Sequence, residues 1–249
     1  MYKANPLFKQ PNDEEIKVWR YIDFTKFVSL INSQSLFFSW ADKFTDPFEG
    51  SYPKNNITNR RLPAEIPQEK IDFFLEEYGN ESKLFELIKS QMAISCWHMN
   101  DNESAAMWER YSNRGQSVAI QSTYERLKES FKPEERDIHL GIVKYINYET
   151  SSFSSGDPIE PFVHKRESFT DEKEVRAIIY VPEFSVIPGH PIDTFFGLNV
   201  NANLEKLIEC IYLAPKTPAW LQLLVREVIK KYDFSFKVVH SELDKDPFF

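Results

Sequence analysis

Glycine is the residue whose scarcity most constrains what this chain can form. The 249 residues include only 7 glycines, and the closest two, Gly189 and Gly197, are eight positions apart. Loops that wrap a nucleotide phosphate need glycines about two to five residues apart, because the backbone must turn tightly and approach the ligand closely. The sequence therefore excludes phosphate loops of the Walker and Rossmann types. It also contains no G-x-S-x-G, the turn that carries the nucleophile of ordinary α/β-hydrolases.

The composition is that of a folded, acidic chain. Hydrophobic residues make up 42% of the sequence, well above the content of disordered segments. The formal net charge of -8 does not attract a phosphate backbone, so we do not expect nucleic acid to bind through bulk charge. Aromatic residues reach 15%, with 21 Phe, which predicts a Phe-packed core or a site that stacks planar rings.

The sequence predicts a cytoplasmic protein with neither a membrane nor a metal ion as a partner. The first residues lack the apolar stretch of a secretory signal, and no apolar run approaches the roughly 18 residues of a membrane span. Cys96 and Cys210 lie far apart and form no C-x-x-C pair, as expected of reduced thiols. No two of the five histidines lie close together in sequence, so no protein-built zinc site is predicted.

Hydrophobic periodicity predicts an α+β fold in which strands and helices alternate irregularly. We expect a single domain over 1–249, with mixed or antiparallel sheets and the helices packed outside them. Its motif-bearing core is predicted at 14–181, and a strand–helix–strand unit at 196–249 completes it. The clearest strand patterns lie at 14–22, 35–40, 92–98, 117–122, 139–148 and 173–181. Helical patterns lie at 24–31, 67–91, 161–169 and after Thr217.

Two acidic segments are candidates for chemistry. In Asp171-Glu172-Lys173-Glu174 a polar stretch enters an apolar strand, and alternation along the strand puts Glu172 and Glu174 on one face. The alternative is a solvated strand end. In Asp46-Pro47-Phe48-Glu49-Gly50 acidic residues combine with turn-forming ones, and the alternative is a capped turn.

Two further pairs of side chains are candidates for a pocket. Trp108 and Tyr111 lie three positions apart on a predicted short helix and either wall a pocket for a flat ring or belong to the core. Cys96 and His98 could form a nucleophile–base pair, but the apolar strand around them favours core packing.

Three short motifs stand out along the chain: D-P-F-E at 46–49, M-W-x-x-Y at 107–111 and E-x-E-x-R at 172–176. With them the chain resembles a widespread bacterial and phage-associated family of unknown function, over about residues 18–180. The other segments that carry the resemblance are Arg20-Tyr21, Leu36-Phe37-Phe38-Ser39, Phe44 and Thr45, Ser95-Cys96-Trp97, Gln116 to Ile120, Lys165-Arg166 and Phe169 to Asp171. That family implies no activity by itself.

The order of elements is also similar to the ADP-ribosyltransferase fold, especially its DNA-targeting toxin branch. That resemblance implies NAD as the substrate, and NAD or another nucleotide as the bound partner. It implies Arg20 as the first-strand anchor, Glu174 as the catalytic carboxylate and Glu172 as the upstream acid of E-x-E. The residues it implies for NAD binding are Arg20, Tyr21, Glu49, Trp108, Tyr111 and Arg166. The chain departs from that fold family where S-T-S is expected on the middle strand, since Ser95-Cys96-Trp97 stands there instead.

Three functions remain open from the sequence. The first is an ADP-ribosyltransferase or NAD glycohydrolase, for which a role as a toxin or phage-defence effector is one expectation. The second is a non-catalytic binding module or defence-system component of the same architecture. The third is a metal-dependent nuclease, because Glu15-Ile16-Lys17 and Asp171-Glu172-Lys173 each offer an E-x-K-like fragment. The sequence does not identify an acceptor, which could be a protein, a nucleic acid, a small molecule or water.

Overall fold

A branched sheet of nine strands is the main feature of the part of the chain that the structure describes. The computed structural model describes residues 1–58, 81–111, 116–153, 156–182 and 196–247. The strands are β1 (Lys17–Asp23), β2 (Ser35–Trp40), β3 (Met92–Met99), β4 (Ser117–Thr123), β5 (His139–Ile142), β6 (Lys144–Ile146), β7 (His164–Arg166), β8 (Glu174–Tyr180), β9 (Gly197–Asn201), β10 (Cys210–Leu213) and β11 (Lys237–His240). The helices are α1 (Phe24–Ser33), α2 (Lys54–Thr58), α3 (Glu81–Ser90), α4 (Ala105–Tyr111), α5 (Tyr124–Ser130), α6 (Leu204–Leu207) and α7 (Ala219–Lys231).

Strand β3 is the branch point of the sheet. One of its edges pairs with β8 in an antiparallel ladder over the whole of Met92–His98. Its other edge is shared by two strands. β1 pairs with the end of β3, at His98 and Met99, whereas β2 pairs with its beginning, at Ala93 and Ile94. An opening therefore lies between β1 and β2, beside the middle of β3.

The remaining strands extend the sheet from these four. β4, β10 and β11 follow one another beyond β1, β9 lies beyond β2, and β5 lies beyond β8. The pairings are antiparallel except for β10 with β11. β6 and β7 form a separate, two-stranded parallel sheet, so the segment between β5 and β8 is an excursion from the main sheet.

Strand alternation gives the main sheet two faces with different coverings. The helix face includes Val18 and Trp97 and is covered by α1, α5 and α7, whose buried residues Phe27, Leu127 and Val225 belong to the same apolar core. Its side chains alternate with those of the opposite face, the cluster face. That face includes Trp19, His98 and Glu174, which pair across β1, β3 and β8, and also Cys96, which pairs with Arg176. Helix α4 and the excursion between β5 and β8 contact the cluster face.

Helix α1 begins at Asp23, as an acidic residue before an apolar 3.6-residue period predicts. The Asp23 carboxylate accepts a hydrogen bond from the backbone N–H of Lys26 at 2.8 Å, which satisfies one of the free donors of the first turn. The buried side chains Phe27, Leu30 and Ile31 then face the sheet. This packing fixes β1 against β2 on the helix face, on either side of the opening.

The prediction of an α+β fold with mostly antiparallel strands and helices outside is confirmed. Two local predictions are wrong. The single strand predicted at 139–148 divides into β5 and β6 at Val143. The Val143 N–H donates to the carbonyl of Glu174 at 2.9 Å, but the N–H of Glu174 donates to the hydroxyl of Tyr145 at 2.8 Å, so the ladder ends there. The helix predicted at 161–169 is instead β7 between two 3-10 turns, since His164–Arg166 pairs with β6. Most of the helix predicted at 67–91 lies outside the described residues, and the single-domain assignment stays a prediction.

Glu134, in the turn after α5, is a buried carboxylate that offers a test of the fold. Its oxygens accept hydrogen bonds from Arg136 at 2.7 and 3.0 Å and from the backbone of Asn201 in β9 at 2.9 Å. Although burial raises the pKa of Glu134, these bonds lower it to about 2.

Because a lowered pKa means that the ionised form is stabilised on folding, Glu134→Gln should reduce the free energy of unfolding at pH 7 by about 2–3 kcal/mol. The difference should disappear as the pH falls from about 5 towards about 2, where the wild-type carboxylate takes up its proton. Urea denaturation at several pH values measures both effects. A difference that does not change with pH would contradict this assignment.

A buried charge cluster as the candidate active site

Arg176 of β8 lies at the centre of a cluster of charged side chains on the cluster face. Its side chain is completely buried. Nε donates to Glu174 Oε1 at 2.6 Å, Nη2 donates to Glu49 Oε1 at 2.8 Å, and Nη1 donates to the carbonyl of Phe162 at 2.8 Å. A buried charge is tolerated only when it is paired and hydrogen-bonded, and Arg176 meets both conditions.

Glu49 reaches this cluster because of the turn after β2. Asp46 closes the turn by accepting the backbone N–H of Phe48 on its side chain and that of Glu49 on its carbonyl, each at 3.1 Å. Gly50 then adopts a φ of 67°, and a Cβ there would stand 2.3 Å from the ring of Phe162. Glycine is therefore required directly after Glu49 for the chain to pass this close to the excursion.

Lys165 supplies the second buried cation. Its ammonium lies 2.5 Å from Glu172 Oε2, 3.0 Å from Glu174 Oε2 and 3.4 Å from Glu49 Oε1. Burial lowers the pKa of Lys165, but Glu174, Glu49 and Glu172 more than offset this and raise it overall. Although burial raises the pKa of Glu174, Arg176 and Lys165 lower it to about 2, so this carboxylate is ionised at neutral pH.

Helix α4 joins the cluster through Arg110. Nη1 of Arg110 lies 2.6 Å from Glu172 Oε1, and Nη2 lies 3.1 Å from Asp171 Oδ2. Tyr111 follows directly and is 46% exposed, so one ring of α4 remains accessible beside the carboxylates. Partial burial and the neighbouring Glu172 raise the pKa of Tyr111 to about 12, which keeps its hydroxyl protonated.

Cys96 connects the cluster to the opening in the sheet. Its half-buried thiol donates a hydrogen bond to Glu174, and burial raises the thiol pKa well above its usual value. The pairing of Cys96 with His98, which the sequence disfavours, does not form, and His98 Nδ1 instead donates to the carbonyl of Glu172 at 2.6 Å. Arg20 lies in the opening beside this part of β3 and bonds to Ser95, whose side chain is on the opposite face from that of Cys96.

Arg20 differs from the other arginines near the cluster because its partners are neutral. It donates to Ser95 Oγ and, at 2.8 Å, to the carbonyl of Phe37 in β2, and its guanidinium lies 5.8 Å from the centre of the Trp97 ring. No carboxylate forms an ion pair with it among the described residues. Burial lowers the pKa of Arg20 to about 10, so the group stays cationic at neutral pH.

The other residues implied for NAD binding lie in two places. Arg166 pairs with Asp46 at 2.7 Å and stacks on Phe48 and Phe169, at 4.7 and 5.2 Å from the ring centres, at the rim of the cluster. Tyr21 and Trp108 instead pack edge to face, 4.8 Å apart, in an apolar group. Trp108 is buried, so of the two aromatic residues in M-W-x-x-Y only Tyr111 offers an exposed ring.

The structure brings Glu49, Glu172 and Glu174 together and places Tyr111 and Arg166 beside them. It adds Lys165, which contacts all three carboxylates and was not among the predicted site residues. The sequence does point to Lys165, because Lys165-Arg166 is one of the segments that carry the family resemblance and lies shortly before the E-x-E-x-R motif. Among the described residues, no group of three or more His, Cys, Asp and Glu side chains is arranged to hold a metal ion.

Comparisons with known proteins find similarity only at the level of structure. No protein-family model matches the chain, and no curated protein sequence matches it. The chain is similar to DarT from Thermus sp. 2.9. Its structure with ADP-ribosylated ssDNA aligns at a TM-score of 0.43 and 8% identity, covering 96% of this chain and 100% of that one. The complex with NAD+ gives 0.43 and 6% with the same coverage, and the complex with carba-NAD+ gives 0.40 and 7%, covering 93% and 98%. No described helix is both long enough and apolar enough to cross a membrane.

Removing the central cation of the cluster should cost far more stability than removing its rim cation. Arg176→Met leaves Glu49 and Glu174 buried with one cation fewer, and we expect the free energy of unfolding to fall by about 3–5 kcal/mol. Arg166→Met breaks a half-exposed pair and should cost about 1 kcal/mol. Urea denaturation of both variants measures the difference. Equal losses would contradict the central position of Arg176.

Proposed function

We propose that this chain binds NAD across the opening and the charge cluster and cleaves the bond between nicotinamide and ribose. ADP-ribose then passes to an acceptor or to water. The observation that carries the proposal is Arg20, a half-buried cation without an anionic partner among the described residues, held in the opening on one edge of β3. The ionised Glu174 lies on β8, which pairs with the other edge of β3.

Arg20 is suited to bind the pyrophosphate of NAD. A desolvated guanidinium held by neutral groups gains more from an added anion than one already paired with a carboxylate. Its planar fork can donate to two phosphate oxygens at once, which the ammonium of Lys cannot do. Two of its nitrogens are held by Ser95 and Phe37, so the group is oriented before the ligand arrives.

Glu174 is suited to stabilise the transition state. Departure of nicotinamide leaves positive, oxocarbenium-like charge on the ribose, and a fixed carboxylate lowers the energy of that charge. This role requires the ionised form, which the lowered pKa of Glu174 provides. Arg176 fixes the carboxylate with two hydrogen bonds, so little reorientation is needed during the reaction.

The charges of the site also match the ligand. Glu49, Asp171, Glu172 and Glu174 are four carboxylates, and the cations that pair with them, Lys165, Arg176 and Arg110, are three. One negative charge is left over in the cluster, and the opening on the other edge of β3 holds the cation Arg20. NAD has the complementary arrangement, with an anionic pyrophosphate and a cationic nicotinamide ring. Tyr111 supplies an exposed ring for that nicotinamide.

A binding module without turnover is the second candidate, and one observation favours it. Both oxygens of Glu174 already accept hydrogen bonds from Arg176, and Oε2 also contacts Lys165. Because these cations neutralise much of its charge, Glu174 would stabilise positive charge on a ribose less strongly. In this case Arg20 would still bind the nucleotide, but nicotinamide would not be released.

Glu174→Gln distinguishes the two candidates. If Glu174 stabilises the transition state, turnover should fall by about 10²–10³ while the affinity for NAD changes little. The measurement is nicotinamide release, followed by chromatography. Glu134→Gln is the matched control, since Glu134 is equally buried, has a lowered pKa and bonds to an arginine, but its partners are Arg136 and β9 and not the charge cluster. Loss of turnover in both variants, or in neither, would contradict the catalytic role.

Arg20→Met tests the binding step separately. Loss of charge-assisted hydrogen bonds to the pyrophosphate should weaken NAD binding by roughly 10–100-fold. Calorimetry in the Glu174→Gln background avoids turnover during the titration. Arg126→Met is the control, because Arg126 is also half-buried and donates to backbone carbonyls, those of Glu205 and Ile208. Unchanged affinity in Arg20→Met would argue against the opening as the pyrophosphate site.

A further inference from the structure

Lys165 occupies an unusual position for a lysine, because three carboxylates share its ammonium. The contacts to Glu49, Glu172 and Glu174 span 2.5 to 3.4 Å, and the side chain is only 10% exposed. A strongly hydrated ammonium is costly to bury, so such a site persists only where several anions compensate for the lost water.

The chain delivers this cation from outside the main sheet. Lys165 lies on β7, which pairs with β6 and not with β8. Arg176, in contrast, is part of β8 and also holds the carbonyl of Phe162. The two cations therefore differ in role: Arg176 is built into the sheet, and Lys165 comes from the excursion and bridges Glu172 to Glu174.

Glu172 and Glu174 need a cation between them. Each has an oxygen within 3.0 Å of the same ammonium, so their charges lie close together in a buried site. Two carboxylates this close repel one another, and a shared cation offsets that repulsion. Glu172 would keep Arg110 and Glu174 would keep Arg176, but neither arginine bridges the two.

Charged and titratable groups from the neighbouring elements surround Lys165 and affect its ionisation and that of the carboxylates it contacts. Glu174 and Arg176 on β8, Glu49 on the turn after β2, and Glu172 on the 3-10 turn before β8 act on its pKa most strongly. The excursion also stacks Phe169 at 5.0 Å from the ammonium. The charge of Lys165 also lowers the pKa of three side chains on other elements: Tyr111 of α4, Cys96 of β3 and Tyr145 of β6.

We propose that Lys165 is a positioning residue that holds Glu172 and Glu174 side by side as two anions, and so keeps the site competent in mildly acidic solution. The inference rests on the proposed function, because it concerns the state in which Glu174 acts. It assigns Lys165 no contact with the substrate.

The test compares the pH dependence of kcat/KM for NAD cleavage in Lys165→Met, Lys165→Arg and wild type. Wild type should show no acid limb above about pH 5, because Glu174 stays ionised there. In Lys165→Met the raised pKa of the carboxylate pair should bring an acid limb into the range of about pH 5.5–7. Lys165→Arg should restore the wild-type profile in large part. The control is Lys128→Met. Lys128 is a mostly buried lysine of α5 that pairs with Glu14, and its removal should leave the pH profile unchanged.

A double variant separates positioning from a purely structural role. If repulsion between Glu172 and Glu174 causes the acid limb, Lys165→Met combined with Glu172→Gln removes one of the two charges and should move the limb back towards the wild-type position. An acid limb that is the same in Lys165→Met and wild type would overturn the proposal. Failure of both the single and the double variant to fold would also overturn it, since Lys165 would then serve stability alone.

The role of Lys165 can be tested even if the proposed function is wrong. If wild type does not cleave NAD, carboxyl carbon NMR titration of protein labelled at glutamate reports the ionisation of Glu172 and Glu174 directly. The inference then predicts a carboxyl group in Lys165→Met that titrates near neutral pH, has no counterpart in wild type and disappears in the double variant. No such group would overturn it.

Discussion

The pairing of Arg176 with Glu49 and Glu174 is the interaction on which the rest of the site depends. The guanidinium is completely buried, so it cannot be left with fewer anions without a large loss of stability. Its contacts join the turn after β2, strand β8 and the excursion at Phe162. These segments must therefore fold together, and the excursion brings Lys165 into place as a consequence.

The branch in the sheet supplies the second element of the site. Because β1 and β2 pair with different ends of β3, Arg20 can lie between them without an anionic partner among the described residues. Cys96, on the middle of β3, lies next to this opening and bonds to Glu174. A cation in the opening and an excess of carboxylates in the cluster thus lie on opposite edges of the same strand, β3.

Much of the sheet could be predicted from the sequence, whereas the assembly of the cluster could not. β2, β3, β4 and β8 each carry an apolar stretch bounded by polar residues, which local periodicity detects. β7 is only three residues long and carries His, Lys and Arg, so no periodicity reveals it. The prediction that strand alternation brings Glu172 and Glu174 to one face is wrong, because β8 begins only at Glu174 and Lys173 has a left-handed φ of 40°. The two carboxylates meet through Lys165 instead. The contact between Glu49 and Arg176 spans 127 residues, a separation at which local patterns carry no information.

A crystal structure of the protein soaked with carba-NAD+, which resists cleavage, tests the central claim most directly. The account predicts the pyrophosphate within hydrogen-bonding distance of the Arg20 guanidinium, with the nicotinamide ribose against Glu174 and the nicotinamide ring beside Tyr111. Lys165 should remain between Glu172 and Glu174 in the complex. Nucleotide bound elsewhere on the molecule, or a site that stays empty at millimolar concentration, would contradict it.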